Sequence, residues 1–254
     1  MAEKLFILGR PGSGKSAAFR HLEGYIKEKY GWSAIHYNDY DILLEMFMFE
    51  KLFHYNSKPR QFRATKHDGF DILDFSVLDK ALRELEKEVR SRYSKNEKDE
   101  LIVIEFARDD YIKALRLFSP EFLEDAYFLF LDADLRICIM RVQERAAHPT
   151  YEDDHFVSED ILKAYYNKQT IPHNLDRGKI KVITNKGSFQ EFIEKLNRFA
   201  DSILAHELVV ENYNKNGLAL ENFNKTSLKA VFHLPISYVR VLKSWSPSIH
   251  QKFK

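Results

Sequence analysis

Leu5-Phe6-Ile7-Leu8-Gly9-Arg10-Pro11-Gly12-Ser13-Gly14-Lys15-Ser16 decides how this chain is read. Four consecutive apolar residues read as a buried strand, and the next eight fit G-x-x-x-x-G-K-[ST]. Each position has a chemical reason. The glycines let the backbone close into a ring whose N–H groups converge on phosphate oxygens. Phe19, Leu22, Ile26 and Tyr30 then recur at helical spacing, so a helix follows and aims its positive end at the same oxygens. Gly9, Gly12, Ser13 and Gly14 are therefore expected to form a phosphate cradle. Lys15 can reach the β and γ phosphates of a nucleotide, and the Ser16 hydroxyl can ligate magnesium.

Outward from this stretch, apolar runs alternate with helical patterns. Ser33 to Tyr37, Leu101 to Ile104, Tyr127 to Leu131 and Ile180 to Ile183 read as four more strands. Between and after them lie helices carrying Leu78, Leu82, Leu85 and Val89; Leu135, Ile139 and Val142; and, over 189–205, Phe192, Ile193, Leu196 and Phe199. Ser76 and Ser158 are expected to cap helices, with Asp79, Glu159 and Asp160 in the first turns behind them. Near-continuous apolar strands separated by helices predict an α/β fold, a five-stranded parallel sheet covered on both faces. Two regions stand outside the alternation: an insertion over 42–76, and a C-terminal extension over 206–254.

Composition bounds the rest. A chain of 254 residues can bury a full core without staples. Its 39 basic and 38 acidic residues cancel, which argues against a global pull toward nucleic acid or membrane. The one cysteine, Cys138, has no internal partner for a disulfide, which fits a reducing compartment. The first residues lack the pattern of a secretory signal, and no apolar run approaches the ~20 residues of a membrane span. A cytoplasmic location is expected. His36, His54 and His67 show no metal-ligand spacing, so zinc is not expected.

The loop specifies a nucleotide and leaves the reaction open. A guanine-reading N-K-x-D is absent after the last strand, where Asn185-Lys186-Gly187-Ser188 puts serine in place of aspartate. ATP is thus expected over GTP. An Asp-Glu pair of the kind found in many motor ATPases is also missing, since the third strand ends Ile104-Glu105-Phe106.

With these elements in order, the chain resembles the adenylate kinase-like group of P-loop kinases, which phosphorylate nucleotides and other small molecules. The resemblance spans roughly residues 3–205. It implies a three-layer P-loop kinase fold, with a substrate-binding insertion after the second strand and a short lid, 146–157, after the helix following the fourth. It also implies roles at several positions. Asp39 and Asp41, in Asn38-Asp39-Tyr40-Asp41, stand where such kinases place an acid that orients or deprotonates the acceptor, though either could instead cap the next helix. Glu105 stands where the second Walker carboxylate would be, able to hold a magnesium-bound water. Arg108 could bind an anionic substrate, or both could form an ordinary salt bridge at a strand end. Arg141 and Arg145 share one helical face and match the family's two lid arginines, one against adenine and one against phosphates; the alternative is a solvated surface. Asn185 and Gly187 fall where the family's backbone passes the adenine. Lys58, Arg60, Arg63 and Lys66, with Arg63 foremost, suit either a phosphate-bearing acceptor or a solvated basic loop. The lid itself contains no arginine, a departure from nucleotide kinases.

The resemblance thus implies ATP- and magnesium-dependent phosphoryl transfer to a small-molecule substrate, a nucleoside monophosphate foremost. The rival is a nucleotide-dependent binding or regulatory protein with slow hydrolysis. Oligomeric state is left open. Residues 222–254 hold six basic residues and no acid, interleaved with Phe223, Phe232, Tyr238, Trp245 and Phe253. That pattern suits either single-stranded nucleic acid or, the preferred expectation, a tail that packs its aromatics on the domain.

Overall fold

Strand β1 (Glu3–Leu8) buries Leu5, Phe6, Ile7 and Leu8 alike, so both of its faces are covered. The computed structural model describes residues 3–53, 59–66, 69–93, 99–151, 155–171 and 179–216. His54, Lys58, His67, the centre of the expected lid and the basic-aromatic tail lie outside them. The chain divides into two units, Met1–Asp201 and Ser202–Lys254; the described part of the second is helical through Asn216.

In the first unit, β1 is followed by α1 (Lys15–Tyr30), β2 (Ser33–Asn38), α2 (Asp39–Phe53), β3 (Phe62–Ala64), β4 (Phe70–Ile72) and α3 (Ser76–Tyr93). Then come β5 (Glu100–Phe106), α4 (Tyr111–Leu115), α5 (Pro120–Leu123), β6 (Ala126–Asp132), α6 (Leu135–Ala147), α7 (Glu159–Tyr165) and β7 (Ile180–Thr184). Helix α8 (Phe189–Asn216) begins in this unit and runs past the boundary expected at 205. The five long strands form one parallel sheet in the order β2-β5-β1-β6-β7, as the apolar runs predict. Its register sets Leu8 beside Phe106 and Asn38 beside Glu105, so β1, β2 and β5 end at one edge. Chain order reverses about β1, and ligands of open α/β sheets bind beyond the strand ends at such a point.

One face of the sheet meets α3 through Leu82, Leu85 and Val89, and the α4–α5 region through Leu115, Phe118 and Phe122. Phe6 centres this cluster, edge-on to Phe118 at 5.3 Å and stacked on Phe128 at 5.2 Å. Each such fully buried phenylalanine contributes about 1.5–3 kcal/mol. On α1, Ala18, Leu22 and Ile26 are the buried stripe; the helix stops at Gly31, whose φ of 74° closes the last turn onto the Lys27 carbonyl.

The insertion over 42–76 is structured: α2 leads into an antiparallel hairpin, β3–β4, because Leu43, Phe47, Phe62 and Phe70 bury against Val77, Leu78 and Ala81 of α3. Three expectations need correction. Ser76 does not cap α3; Asp74 accepts its N–H at 3.0 Å. Ser158 precedes α7 without a capping bond, since its hydroxyl is turned to Asp71 at 2.5 Å. Strand β7 is an edge with Val182 exposed, so its apolar run is not buried on both sides. Among the described residues, no helix is long and apolar enough to cross a membrane.

Candidate active site

The turn from β1 to α1 leaves three glycines at positive φ, and none has room for a side chain: at Gly9 (φ 153°) a Cβ would meet the Leu131 carbonyl oxygen at 2.7 Å. A Cβ at Gly12 (φ 80°) would meet the Cys138 carbonyl oxygen at 2.4 Å, and one at Gly14 (φ 102°) would meet Asn185 Nδ2 at 2.6 Å. The loop is fastened from outside as well. Gly9 donates its N–H to the Tyr111 hydroxyl at 2.9 Å. Arg10 forks onto the carbonyls of Tyr166, Ala133 and Asn167. Gly14 starts α1 without a side-chain cap, which leaves the first-turn N–H groups available to an anion. Pro11, Gly12, Gly14, Lys15 and Ser16 line a cavity of about 280 Å³.

Glu105, at the end of β5, gathers the cations and donors around it. Its Oε1 accepts the Ser16 hydroxyl at 3.3 Å and lies 3.7 Å from Lys15 Nζ; its Oε2 lies 3.1 Å from His36 Nε2. Burial pushes the Glu105 carboxyl up, but the His36 contact and the Lys15 charge outweigh it, and the net shift is downward. Burial likewise lowers the Lys15 ammonium, against the pull of Glu105. Ser16 and Glu105 thus offer a hydroxyl and an ionised carboxylate 3.3 Å apart, the hard oxygen donors that suit magnesium or its bound water.

Asp39 opens α2 and forms a buried ion pair with Arg108, Nη1 to Oδ2 at 2.5 Å. Arg108 also donates to the carbonyls of Ala107 at 2.6 Å and Leu78 at 2.7 Å. Burial lifts the Asp39 carboxyl above the usual range, with Arg108 and Lys15 pulling it back. Arg141 and Arg145 line the same cavity from α6; Arg141 approaches the Gly12 carbonyl at 3.5 Å, and Arg145 donates to the His155 carbonyl at 3.2 Å. Lys15, Ser16, Asp39, Glu105, Arg108, Arg141 and Arg145 thus meet in one cavity, as their positions in the sequence suggest.

Other expected site residues lie elsewhere. Arg63 is on the hairpin and bridges Asp71 and Asp160, tying β3 and β4 to α7 outside the cavity. Asp41 is in the first turn of α2, exposed, with its N–H on the Asn38 side chain. Asn185 is buried and donates to the Ser13 carbonyl at 2.8 Å, so it secures the loop and does not line the cavity. Gly187 is not in the lining either; a Cβ there would meet the Glu191 carboxylate. Gly9 and Ser13 shape the loop from behind its open face.

Several contributors escaped the sequence reading. Tyr111 accepts N–H groups from both Gly9 and Arg108, joining the phosphate loop to the Asp39 pair. Burial pushes its phenol up to about 12, so it remains a hydroxyl. Its aromatic character resembled ordinary core. His36 showed no metal spacing, yet it stands against Glu105 and stacks on Phe19 at 4.2 Å. Tyr166 lines the cavity from the end of α7. Among the described residues, no group of three or more His, Cys, Asp or Glu is placed to hold a metal alone.

No protein-family model matches the chain, and no curated protein matches it. Solved structures do resemble its fold. A sugar kinase from Janibacter is 16% identical, over 80% of this chain and 95% of that one, at a TM-score of 0.45. The APS kinase CysC of Mycobacterium tuberculosis, in complex with AMPPNP and APS, is 16% identical over 77% and 95%, at 0.45. Kti12 of Chaetomium thermophilum, in complex with ADP-AlF3, is 13% identical over 79% and 98%, at 0.46.

Proposed function

We propose that this protein transfers the γ-phosphoryl group of ATP to the hydroxyl of a small metabolite. The observation that carries the reading is the meeting of Lys15, Ser16 and Glu105 with the Asp39–Arg108 pair in one cavity. A phosphate loop alone serves hydrolases and switches too; a buried carboxylate across the same cavity supplies what a second substrate needs.

In this reading the loop N–H groups and Lys15 hold the β and γ phosphates, and Arg141 and Arg145 offset charge that builds on the transferred group. Ser16 and Glu105 would hold magnesium, which neutralises the phosphate oxygens when bound. Asp39 accepts the proton of the acceptor hydroxyl as its oxygen bonds to the γ phosphorus. The bond from that phosphorus to the β–γ bridging oxygen breaks, and ADP leaves with the electron pair. The lifted Asp39 carboxyl is the better proton acceptor for it. Arg108 orients Asp39 and, through Tyr111, fixes it relative to the loop.

A nucleoside monophosphate, the leading expectation from the sequence, needs cations for its phosphate. Arg108 is engaged by Asp39, and Arg63 lies outside the cavity. The reading therefore retains a small metabolite as acceptor and places nucleoside monophosphates second. The test is thermal stabilisation by ATP–Mg against GTP–Mg, followed by ADP release in a metabolite panel. Stabilisation by ATP with acceptor-dependent ADP release supports a kinase. Stabilisation with only slow, acceptor-independent release supports the regulatory reading, and absence of stabilisation removes both.

A further inference from the structure

The segment over 146–157, the expected lid, contains neither arginine nor lysine. A phosphoryl group in transfer spreads charge over its oxygens, and a lid without cations has nothing to set against it. The structure places a cation beside that segment. Arg20 is on α1, four residues after Ser16, so the two share one helical face. Helical side chains lean toward the helix N-terminus, which carries Arg20 back over Ser16 toward the open side of the phosphate loop. Arg20 accordingly lines the cavity together with Pro11, Gly12, Lys15 and Ser16. Arg141 and Arg145 reach the same cavity from α6, so an arginine on α1 adds a second direction of approach.

An aromatic ring backs Arg20 in this position. Its guanidinium lies over Tyr151, four residues past the end of α6, with Cζ 3.8 Å from the ring centroid. Tyr151 is 52% exposed and is not in the lining, so the guanidinium, and not the ring, meets the cavity. Stacking uses the face of a guanidinium. Its donors point outward in the plane, in the fork that fits two phosphate oxygens. Stacking on Tyr151 and bonding a phosphate are therefore compatible.

Building on the phosphoryl-transfer reading, we propose that Arg20 is a further catalytic residue: it bonds the γ phosphate of ATP, and Tyr151 positions it by stacking. The cation missing from the lid's own sequence comes from α1, and the lid contributes the ring.

Calorimetric titration of the full chain with AMPPNP–Mg and with ADP–Mg tests this, because the two nucleotides differ by the γ phosphate. The readout is the ratio of their dissociation constants, which a merely structural role would leave unmoved. Arg20→Met is expected to weaken AMPPNP–Mg about tenfold or more, as for loss of a charge-assisted hydrogen bond, and to leave ADP–Mg within about twofold. Tyr151→Leu alters no charge and is expected to shift the ratio in the same direction by about two- to fivefold, as for a cation–π contact at an exposed site. Tyr151→Phe keeps the ring and should match the wild type.

An unmoved ratio in Arg20→Met overturns the proposal. An unmoved ratio in Tyr151→Leu, or a Tyr151→Phe variant as impaired as Tyr151→Leu, overturns the stacking role. Lys27→Met removes a charge from an exposed position of the same helix, outside the cavity. A shift there equal to that of Arg20→Met would reduce the effect to net charge and overturn the contact. Failure of the wild type to bind either nucleotide sinks the phosphoryl-transfer reading and this proposal with it, whereas binding of both with an unmoved ratio in Arg20→Met sinks the Arg20 assignment alone.

Discussion

The two sides of the cavity are built in different ways. The phosphate side is largely local: eight consecutive residues fold into a ring of backbone donors, to which Lys15 and Ser16 belong, and Glu105, Arg141 and Arg145 add side-chain chemistry. The opposite side is assembled from afar. Asp39 meets Arg108, the Leu78 carbonyl takes an Arg108 donor, and Asp71 on the hairpin holds both Arg63 and Ser158. On the first side, side chains serve the ligand while backbone geometry keeps the shape. On the second, the charged groups near the ligand also hold the fold together. Mutations should therefore separate rate from stability on the phosphate side and lose both together on the other.

The largest effect is expected at Arg108. Removing one member of a buried, hydrogen-bonded ion pair costs about 3–5 kcal/mol, because the other charge is left stranded. Arg108→Met should lower stability in urea unfolding by that order and abolish turnover with it. Asp39→Asn combined with Arg108→Met should recover part of the stability and none of the turnover. A single variant as stable as the wild type would show that the pair is not a structural member.

Lys15→Ala is the counterpart on the phosphate side. Loss of a preorganised phosphate contact lowers turnover about 10²–10³-fold. Stability should change less than at Arg108, since burial disfavours the Lys15 ammonium and Glu105 keeps His36 and Ser16 as partners when it is removed. Initial rates and thermal unfolding on the same preparation check this. A loss of stability comparable to that of Arg108→Met would erase the contrast.

The same division governs what could be read from sequence. The cradle, Lys15 and Ser16 are contiguous, and each follows from a backbone or ligand rule that needs no partner elsewhere. Glu105 was legible because it ends an apolar strand, where a buried carboxylate has little to do but chemistry. Asp39 and Arg108 were each visible as candidates, but 69 positions separate them, and nothing local announces that they neutralise each other. Arg63 was misplaced for the same reason: its partners lie 8 and 97 positions away and turn a basic loop into a structural clasp. Asn185 occupied an expected nucleotide position, yet its amide secures Ser13 from behind. The strands read well because burial on both faces makes their runs continuously apolar. Helix α2 and the hairpin did not, because neither is buried on more than one side and several apolar side chains of α2 are exposed.

Tyr111 joins the two sides and should show an intermediate effect. Its hydroxyl accepts from Gly9 N–H at 2.9 Å and Arg108 N–H at 3.2 Å, both buried. Tyr111→Phe keeps the ring edge-on to Phe130 and strands those donors, at a cost of about 1–3 kcal/mol. Nucleotide affinity and acceptor KM should both worsen, by calorimetric titration and by steady-state kinetics. A change confined to one of the two would mean that the hydroxyl serves a single side.

The smallest effect distinguishes the sides by the sign of their response to acid. Glu105 is held below its ordinary range, so folding favours its ionised form. The stability it contributes is fully present above the unfolded value, about 4.3, and is lost as pH falls through the lower folded value. Asp39 is lifted by burial, so folding favours its protonated form, and its contribution runs the other way: it weakens as pH rises from about 3.9 through the higher folded value. Acidification should therefore cost the phosphate side stability while relieving the opposite side. Glu105→Gln removes only the first contribution, and its melting temperature should fall less steeply than that of the wild type as pH drops below about 4.3. Asp39→Asn removes only the second, and should make the acid loss steeper over the same range. Parallel curves for all three proteins would show that neither carboxylate titrates differently in the folded state, and that the two sides differ in assembly but not in electrostatics.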